Sequence, residues 1–152
     1  MIFVTVGTHH QPFERLLGAL DDLDDELVVQ YGPGQPPAAA THAEPFMPFD
    51  AMLERFREAD RVITHAGVGS IICASREGHV PLVVPRHHEL GEHVDDHQVE
   101  LTRALAERGS VVAVWDVGEL AATVAAAPHR RPPSTRVEPA LCPSVRDALL
   151  SR

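Results

Sequence analysis

The stretch from Val62 to Gln98 constrains the fold of this chain more than any other. It opens with the β-branched run Val62-Ile63-Thr64-His65, passes through Ala66-Gly67-Val68-Gly69-Ser70 and continues as a short helical run to Gly78. A second apolar run follows, Pro81-Leu82-Val83-Val84-Pro85, and then the polar segment Gly91-Glu92-His93-Val94-Asp95-Asp96-His97-Gln98. A strand that enters a Gly-x-Gly turn and then a helix is how a parallel α/β sheet directs free backbone N–H groups and a positive helix end at an anion. A polar segment after a buried strand belongs at the carboxyl ends of the strands, where open α/β sheets bind ligands.

The flanking sequence repeats the same alternation. Ile2 to Val6 reads as a buried strand ending at Gly7-Thr8, and Phe13, Leu16, Leu17 and Leu20 follow at helical spacing. Gly7 and Thr8 are candidates for a close backbone approach and a hydroxyl contact to a ligand, with a plain βα turn as the alternative. Leu27 to Tyr31 is a second strand. Residues 33–43 are rich in Pro and Ala and read as a loop, and Phe46 to Phe49 as a short strand. Asp50 is then the expected N-cap of a helix whose apolar face is Phe49, Met52, Leu53 and Phe56, a core stripe. Leu101 and Leu105 mark a helix closed at Gly109, Val111 to Trp115 a strand, and Asp116 the cap of a helix carrying Leu120 and Val124. The pattern predicts an α/β fold, a Rossmann-like parallel sheet flanked by helices over residues 1–127. Residues 128–152 read as a Pro/Arg-rich connector and a short helix from Ser144.

Composition removes several function classes. The net charge is −9 and all 13 basic residues are Arg, so the clustered cations of a nucleic-acid binder are lacking. Without Lys, a P-loop nucleotide site is excluded. The third Gly of the dinucleotide fingerprint is missing, as is an acidic residue at the end of the second strand. Two cysteines outside any C-x-x-C read as reduced thiols, no apolar run reaches membrane-span length, and the first strand has no basic leader ahead of it; the expectation is a cytoplasmic protein. What remains is a diphosphate held by backbone N–H groups at Gly69 and Ser70, without a metal.

Ten histidines raise the question of a metal site. His93 and His97 have i, i+4 spacing and with Asp96 would ligate zinc on a helix. Gly91 and a helix start near Asp96 place His93 in a loop, and polar recognition is the preferred reading. For His65, at a strand end, ligand contact competes with a hydrogen-bonded structural imidazole.

Val62 to Ser70, Pro81 to Arg86, Asp95 to Leu101 and the opening Phe3-Val4-Thr5-Val6-Gly7-Thr8 together resemble the donor-binding half of family 28 glycosyltransferases. The likeness extends to single-domain subunits of two-chain UDP-sugar transferases, and Arg86 with Gly91-Glu92-His93 is most similar to their bacterial exopolysaccharide branch. The resemblance implies one half of a GT-B enzyme with a UDP-sugar as donor substrate and no cofactor. It implies diphosphate contacts from Gly67, Gly69 and Ser70, an opposite wall from Gly7 and Thr8, and sugar and diphosphate contacts from His97 and Gln98. His65, Arg86, Glu92, His93 and Asp96 complete the expected donor site. Family members carry a ribose-binding Glu seven residues before the Pro of the next strand; here that position is Ala74, and Glu77 is the candidate replacement.

The expected activity is hexosyl transfer to a lipid-linked acceptor in polysaccharide or glycolipid synthesis. A membrane-anchored subunit would supply the acceptor site and recruit the chain to the membrane; no general base is identified. The alternatives are an inactive UDP-sugar-binding or scaffold module and a zinc-dependent hydrolase.

Overall fold

Strands that are apolar on both faces can only be satisfied by helices above and below them. A computed structural model, which describes residues 1–127 and Arg130, shows this arrangement. Its strands are β1 (Ile2–Thr5), β2 (Leu27–Gln30), β3 (His42–Glu44), β4 (Arg61–Thr64), β5 (Leu82–Val83) and β6 (Val112–Ala113). The helices are α1 (Glu14–Ala19), α2 (Phe49–Glu58), α3 (Val68–Arg76), α4 (His97–Glu107) and α5 (Leu120–Ala126). The strands form one six-stranded sheet in the order β3-β2-β1-β4-β5-β6, and every pairing is parallel.

Side-chain alternation sorts the core onto the two faces. Ile2, Val4, Leu27, Val29, Ile63 and Leu82 face α1 and α5, meeting Leu16, Leu17, Leu20, Leu120 and Val124. On the other face Phe3, Val28 and Val62 pack on Phe56 of α2 and Ala74 of α3, and Val83 packs on Ile71, Leu101 and Leu105. The Phe3 and Phe56 rings meet edge to face, 5.1 Å apart at 89°. The chain leaves β1 in one direction along the sheet and returns to β4 on its other side, so the order reverses between β1 and β4. The carboxyl ends of those two strands therefore flank a crevice.

Two expectations for the middle of the chain are corrected. The third strand is His42–Glu44, inside the stretch read as loop, and not Phe46 to Phe49. It is a three-residue edge strand of polar and small residues, paired to Val28, Val29 and Gln30; it has no apolar alternation for a sequence reading to detect. Helix α2 is capped by Pro48, with Asp50 in its first turn. Of its apolar stripe only Phe56 is buried, while Phe49 is 65% exposed, because the first turn projects past the strand ends. The segment 128–152 lies outside the described residues apart from Arg130, whose guanidinium bonds the carbonyls of Glu77 and Arg57.

Candidate functional site

Each wall of the crevice is fixed by a local cause. After β1 the chain turns at Gly7, whose φ is +77°, a conformation that favours glycine. Below it, Thr5 Oγ1 donates to Gln30 Oε1 at 2.7 Å, and Gln30 Nε2 donates to the carbonyls of Gly7 (3.0 Å) and Pro45 (2.8 Å). Gln30 thus ties the loop after β1 to the loop after β3. A buried Gln closing the otherwise apolar run Leu27-Val28-Val29 was the available signal for this residue, which the sequence reading missed.

The loop after β4 carries His65, and its imidazole is packed between two glycines. A Cβ on Gly7 would lie 2.4 Å from Nε2 of that ring, and one on Gly67 would lie 2.3 Å from Cε1. Burial, then the charge of Arg86, then His93 and His9, push the His65 pKa down to about 3, so the ring is neutral. Gly67 is the N-cap of α3 and no side chain caps the helix. The first intrahelical bond is Ile71 N to Gly67 O at 3.0 Å. The N–H groups of the first turn therefore have no acceptor within the helix, and the positive end of its dipole lies at Gly69 and Ser70.

These residues line a cleft of about 300 Å³ together with Thr8, Gln30, Phe46, Met47, Phe49, Met52, Phe56 and Cys73. One end is polar, formed by the Gly7 and Gly67–Ser70 turns, and the other is an apolar wall from the start of α2. Phe46 and Phe49 are 63% and 65% exposed, the behaviour of side chains that wait for a partner and not of core. The sequence reading assigned Phe49 and Met52 to the core, and so missed the wall.

Of the residues expected at the site, Gly7, Thr8, His65, Gly67, Gly69 and Ser70 converge on this cleft. The others are placed differently. Arg86 is fully buried: it donates to the carbonyls of Gln11 (2.9 Å), Glu92 (3.0 Å) and Val6 (2.8 Å) and lies 4.7 Å from the Phe13 ring centre. Burial lowers its pKa to about 10, with the Glu92 charge opposing. Its guanidinium holds three loops together and does not face the cleft. Glu92 is engaged with Arg15 at 3.0 and 3.1 Å and accepts from the His87 N–H at 3.1 Å. Glu77 ends α3 and pairs with Arg57 and Arg130, each at 3.3 Å. It lies about 15 Å along the helix from Gly67, given the rise per residue. Ala74 faces the core, and the residue of that turn lining the cleft is Cys73.

His93 stacks on His9 at 4.6 Å and its Nδ1 meets Asp95 at 3.2 Å. It lies outside α4, so no helical His93–His97 pair forms. Asp96 is the N-cap residue of α4, and its Oδ1 accepts from the His88 N–H at 3.1 Å. His97 opens α4, and among the described residues both its ring nitrogens are buried without a hydrogen-bond partner. Gln98 is buried beside His65: its Oε1 accepts from the N–H groups of Ala66 (3.2 Å) and Arg86 (3.1 Å), and its Nε2 lies 3.3 Å from His65 Nδ1. Among the described residues no group of three or more His, Cys, Asp or Glu is gathered as a metal site, and no helix is long and apolar enough to cross a membrane.

Comparison with known proteins agrees with this geometry. The family model described as "Glycosyltransferase family 28 C-terminal domain" matches residues 1–138. Tylactone mycaminosyltransferase of Streptomyces fradiae is 35% identical over 85 residues, covering 53% of this chain and 18% of that protein. The UDP-N-acetylglucosamine transferase subunit ALG13 of Homo sapiens is 31% identical over 123 residues, covering 71% of this chain and 10% of that protein. The chain therefore spans less than a fifth of the length of either relative. A six-stranded parallel sheet with a crevice at its switch point, matched by the family model over nearly its whole length, places the chain in the glycosyltransferase family 28 C-terminal domain family.

Proposed function

We propose that the chain is the donor-binding half of a UDP-sugar-dependent hexosyltransferase. The observation that carries this reading is the juxtaposition within one cleft of an uncapped helix N-terminus and an apolar, partly aromatic wall. A diphosphate suits the first, because N–H groups and a helix dipole supply the counter-charge with no metal. A flat base suits the second, where Phe46, Phe49 and Met52 offer stacking and contact area. Cys73 borders the stretch between them, where a ribose would lie. His97, with its unpartnered ring nitrogens, is the candidate to meet the sugar. The choice of uridine draws on the relative named as a UDP-N-acetylglucosamine transferase subunit.

In the reaction, an acceptor hydroxyl attacks the anomeric carbon, the bond from that carbon to the β-phosphate oxygen breaks, and UDP leaves with the electron pair. Charge builds on the departing diphosphate, so the first turn of α3 and the Ser70 hydroxyl act where stabilisation counts most. The acceptor hydroxyl's proton goes to a base that we place on the acceptor-binding half across the cleft, since GT-B chemistry takes place between two domains; we propose that a partner polypeptide supplies that half. We further propose that this partner is membrane-anchored, presents a lipid-linked acceptor and recruits the chain to the cytoplasmic face of the membrane. In support, the exposed large apolar residues outside the cleft, Leu90, Val94 and Trp115, all follow the carboxyl ends of strands, on the edge such a partner would cover. The rival reading, a UDP-sugar-binding module without activity, shares the cleft and differs only in turnover. Thermal shift against UDP, UDP-sugars, GDP-sugars and NAD tests the ligand assignment: UDP-sugars should stabilise most, and a stronger response to GDP-sugars would overturn it.

A further inference from the structure

We propose that Gln98 is a positioning residue that fixes His65 as the Nε2–H tautomer and aims that N–H into the cleft between Gly7 and Gly67, without itself touching the donor. The inference rests on the functional reading above for the identity of the ligand, but its tautomer half stands on the protein alone. The argument begins with the orientation of the Gln98 amide. Its outer atom meets two main-chain N–H groups, those of Ala66 at 3.2 Å and Arg86 at 3.1 Å. Two donors require an acceptor with two lone pairs, so that atom is the oxygen and the amide cannot be flipped. The NH₂ group is then the atom 3.3 Å from His65 Nδ1. An N–H donor needs a lone pair there, so Nδ1 carries no proton and the neutral ring carries it on Nε2.

The other side of the ring shows why the tautomer matters. Nε2 lies in the space where side chains on Gly7 and Gly67 would sit, 2.4 and 2.5 Å from their Cβ positions. Both flanking residues lack the atom that would cover it, and His65 lines the cleft beside Gly69 and Ser70. The burial of the ring, then the nearby Arg86 charge, hold it neutral, so this donor does not come and go with a proton across the physiological range. A ring protonated on the cleft-facing nitrogen cannot accept the acceptor hydroxyl's proton, which removes His65 as general base and leaves it a donor to a diphosphate oxygen. Gln98, for its part, has both oxygen lone pairs and one N–H engaged within the protein, which leaves little with which to recognise a sugar.

Long-range ¹H–¹⁵N NMR of the ligand-free protein tests the tautomer directly. Wild type should show His65 with a protonated Nε2 and a bare Nδ1 between about pH 5 and 8; a protonated Nδ1 would overturn the proposal. Gln98→Glu keeps an oxygen for the two main-chain donors but offers Nδ1 an acceptor, so the resonance should change to a protonated Nδ1. Calorimetry then separates positioning from contact. Gln98→Leu should weaken UDP and UDP-glucose by the same factor, about tenfold to a hundredfold for one hydrogen bond to a charged group. In a His65→Ala background it should weaken them no further. Unchanged UDP affinity with a selective loss of UDP-glucose would mean that Gln98 touches the sugar, and would overturn the proposal. If Gln98→Leu does not fold, Gln98→Glu carries the same comparison of the two ligands. Failure of wild type to bind any UDP compound would instead sink the functional reading while leaving the NMR result to stand.

Discussion

The imidazole of His65 occupies the volume in which a side chain on Gly67 would lie, with Cε1 2.3 Å from where that Cβ would be. Gly67 has φ −82°, which any residue adopts, so its role is room and not backbone conformation. Gly67→Ala should therefore displace the ring, break its bond to Gln98 and cost about 1–3 kcal/mol, as overpacking does. Urea unfolding measures the cost. An unchanged midpoint would mean that the ring has slack that the structure does not show.

Gly69 makes the opposite case. A Cβ there meets nothing within 4 Å, so Gly69→Val should retain most of the fold's stability while its branch stands in front of the N–H groups offered to a phosphate. Calorimetry should show UDP binding lost in a protein that still unfolds cooperatively. Ser70→Ala should cost less affinity, about 1.5–3 kcal/mol for one hydrogen bond to a charged group. Undiminished UDP affinity in both variants would place the diphosphate elsewhere.

Arg86 distinguishes a structural tie from a phosphate ligand. Its removal leaves the carbonyls of Val6, Gln11 and Glu92 without their donor, and unsatisfied buried groups cost about 1–3 kcal/mol each. Arg86→Met should lower unfolding stability by at least about 3 kcal/mol, with the surviving folded protein binding UDP nearly as wild type. A stable variant that has lost UDP affinity would restore the guanidinium to the donor site.

The sheet and the Gly67–Ser70 turn were legible in the sequence because both are local. Val62-Ile63-Thr64 alternates across two apolar faces, and a Gly-x-Gly before a helix can be read without knowing what lies opposite. The edge strand His42–Glu44 was not legible, because its pairing with β2 leaves no apolar signature. Arg86 was misplaced for a different reason. The family resemblance put it at the donor site, but its partners are carbonyls as far away in sequence as Val6, and only the fold brings them together. Phe49 erred the other way: helical spacing marks an apolar face but does not tell a turn resting on the sheet from one projecting past its end. Glu77 illustrates the same limit, since its separation from the cleft is set by helix length and not by composition.

Stability should fall as pH drops below the ordinary histidine range. His65 titrates near 3 in the folded state, against an ordinary value of 6.5, with burial as the main cause. Between those values the unfolded chain binds more protons, so stability is fully present above about 6.5 and is lost as pH falls toward 3, at roughly 1.4 kcal/mol per pH unit per group. His79, held low mainly by burial while its ring meets the Phe56 carbonyl, adds in the same direction. Urea unfolding at pH 7.5 and pH 5 should show the loss, with a shallower dependence in His65→Asn. Equal slopes in the two proteins would mean that the ring is not held neutral.

The last prediction concerns the second polypeptide. Leu90 and Val94 are 59% and 62% exposed on the segment between β5 and α4, and neither lines the cleft. If the acceptor-binding partner covers this edge, replacing both with Ser should weaken its capture while leaving UDP affinity intact, since no donor contact is removed. The unmodified chain should be stabilised by UDP, by about 2.7 kcal/mol at a hundredfold excess over its dissociation constant, yet transfer little sugar by itself. Co-expression with a candidate for the proposed membrane-anchored subunit should restore turnover, and the Leu90→Ser, Val94→Ser variant should lose most of that gain. Robust transfer by the purified chain with no second protein present would overturn the half-enzyme reading. A variant that captures the partner as well as wild type would move the interface off this edge.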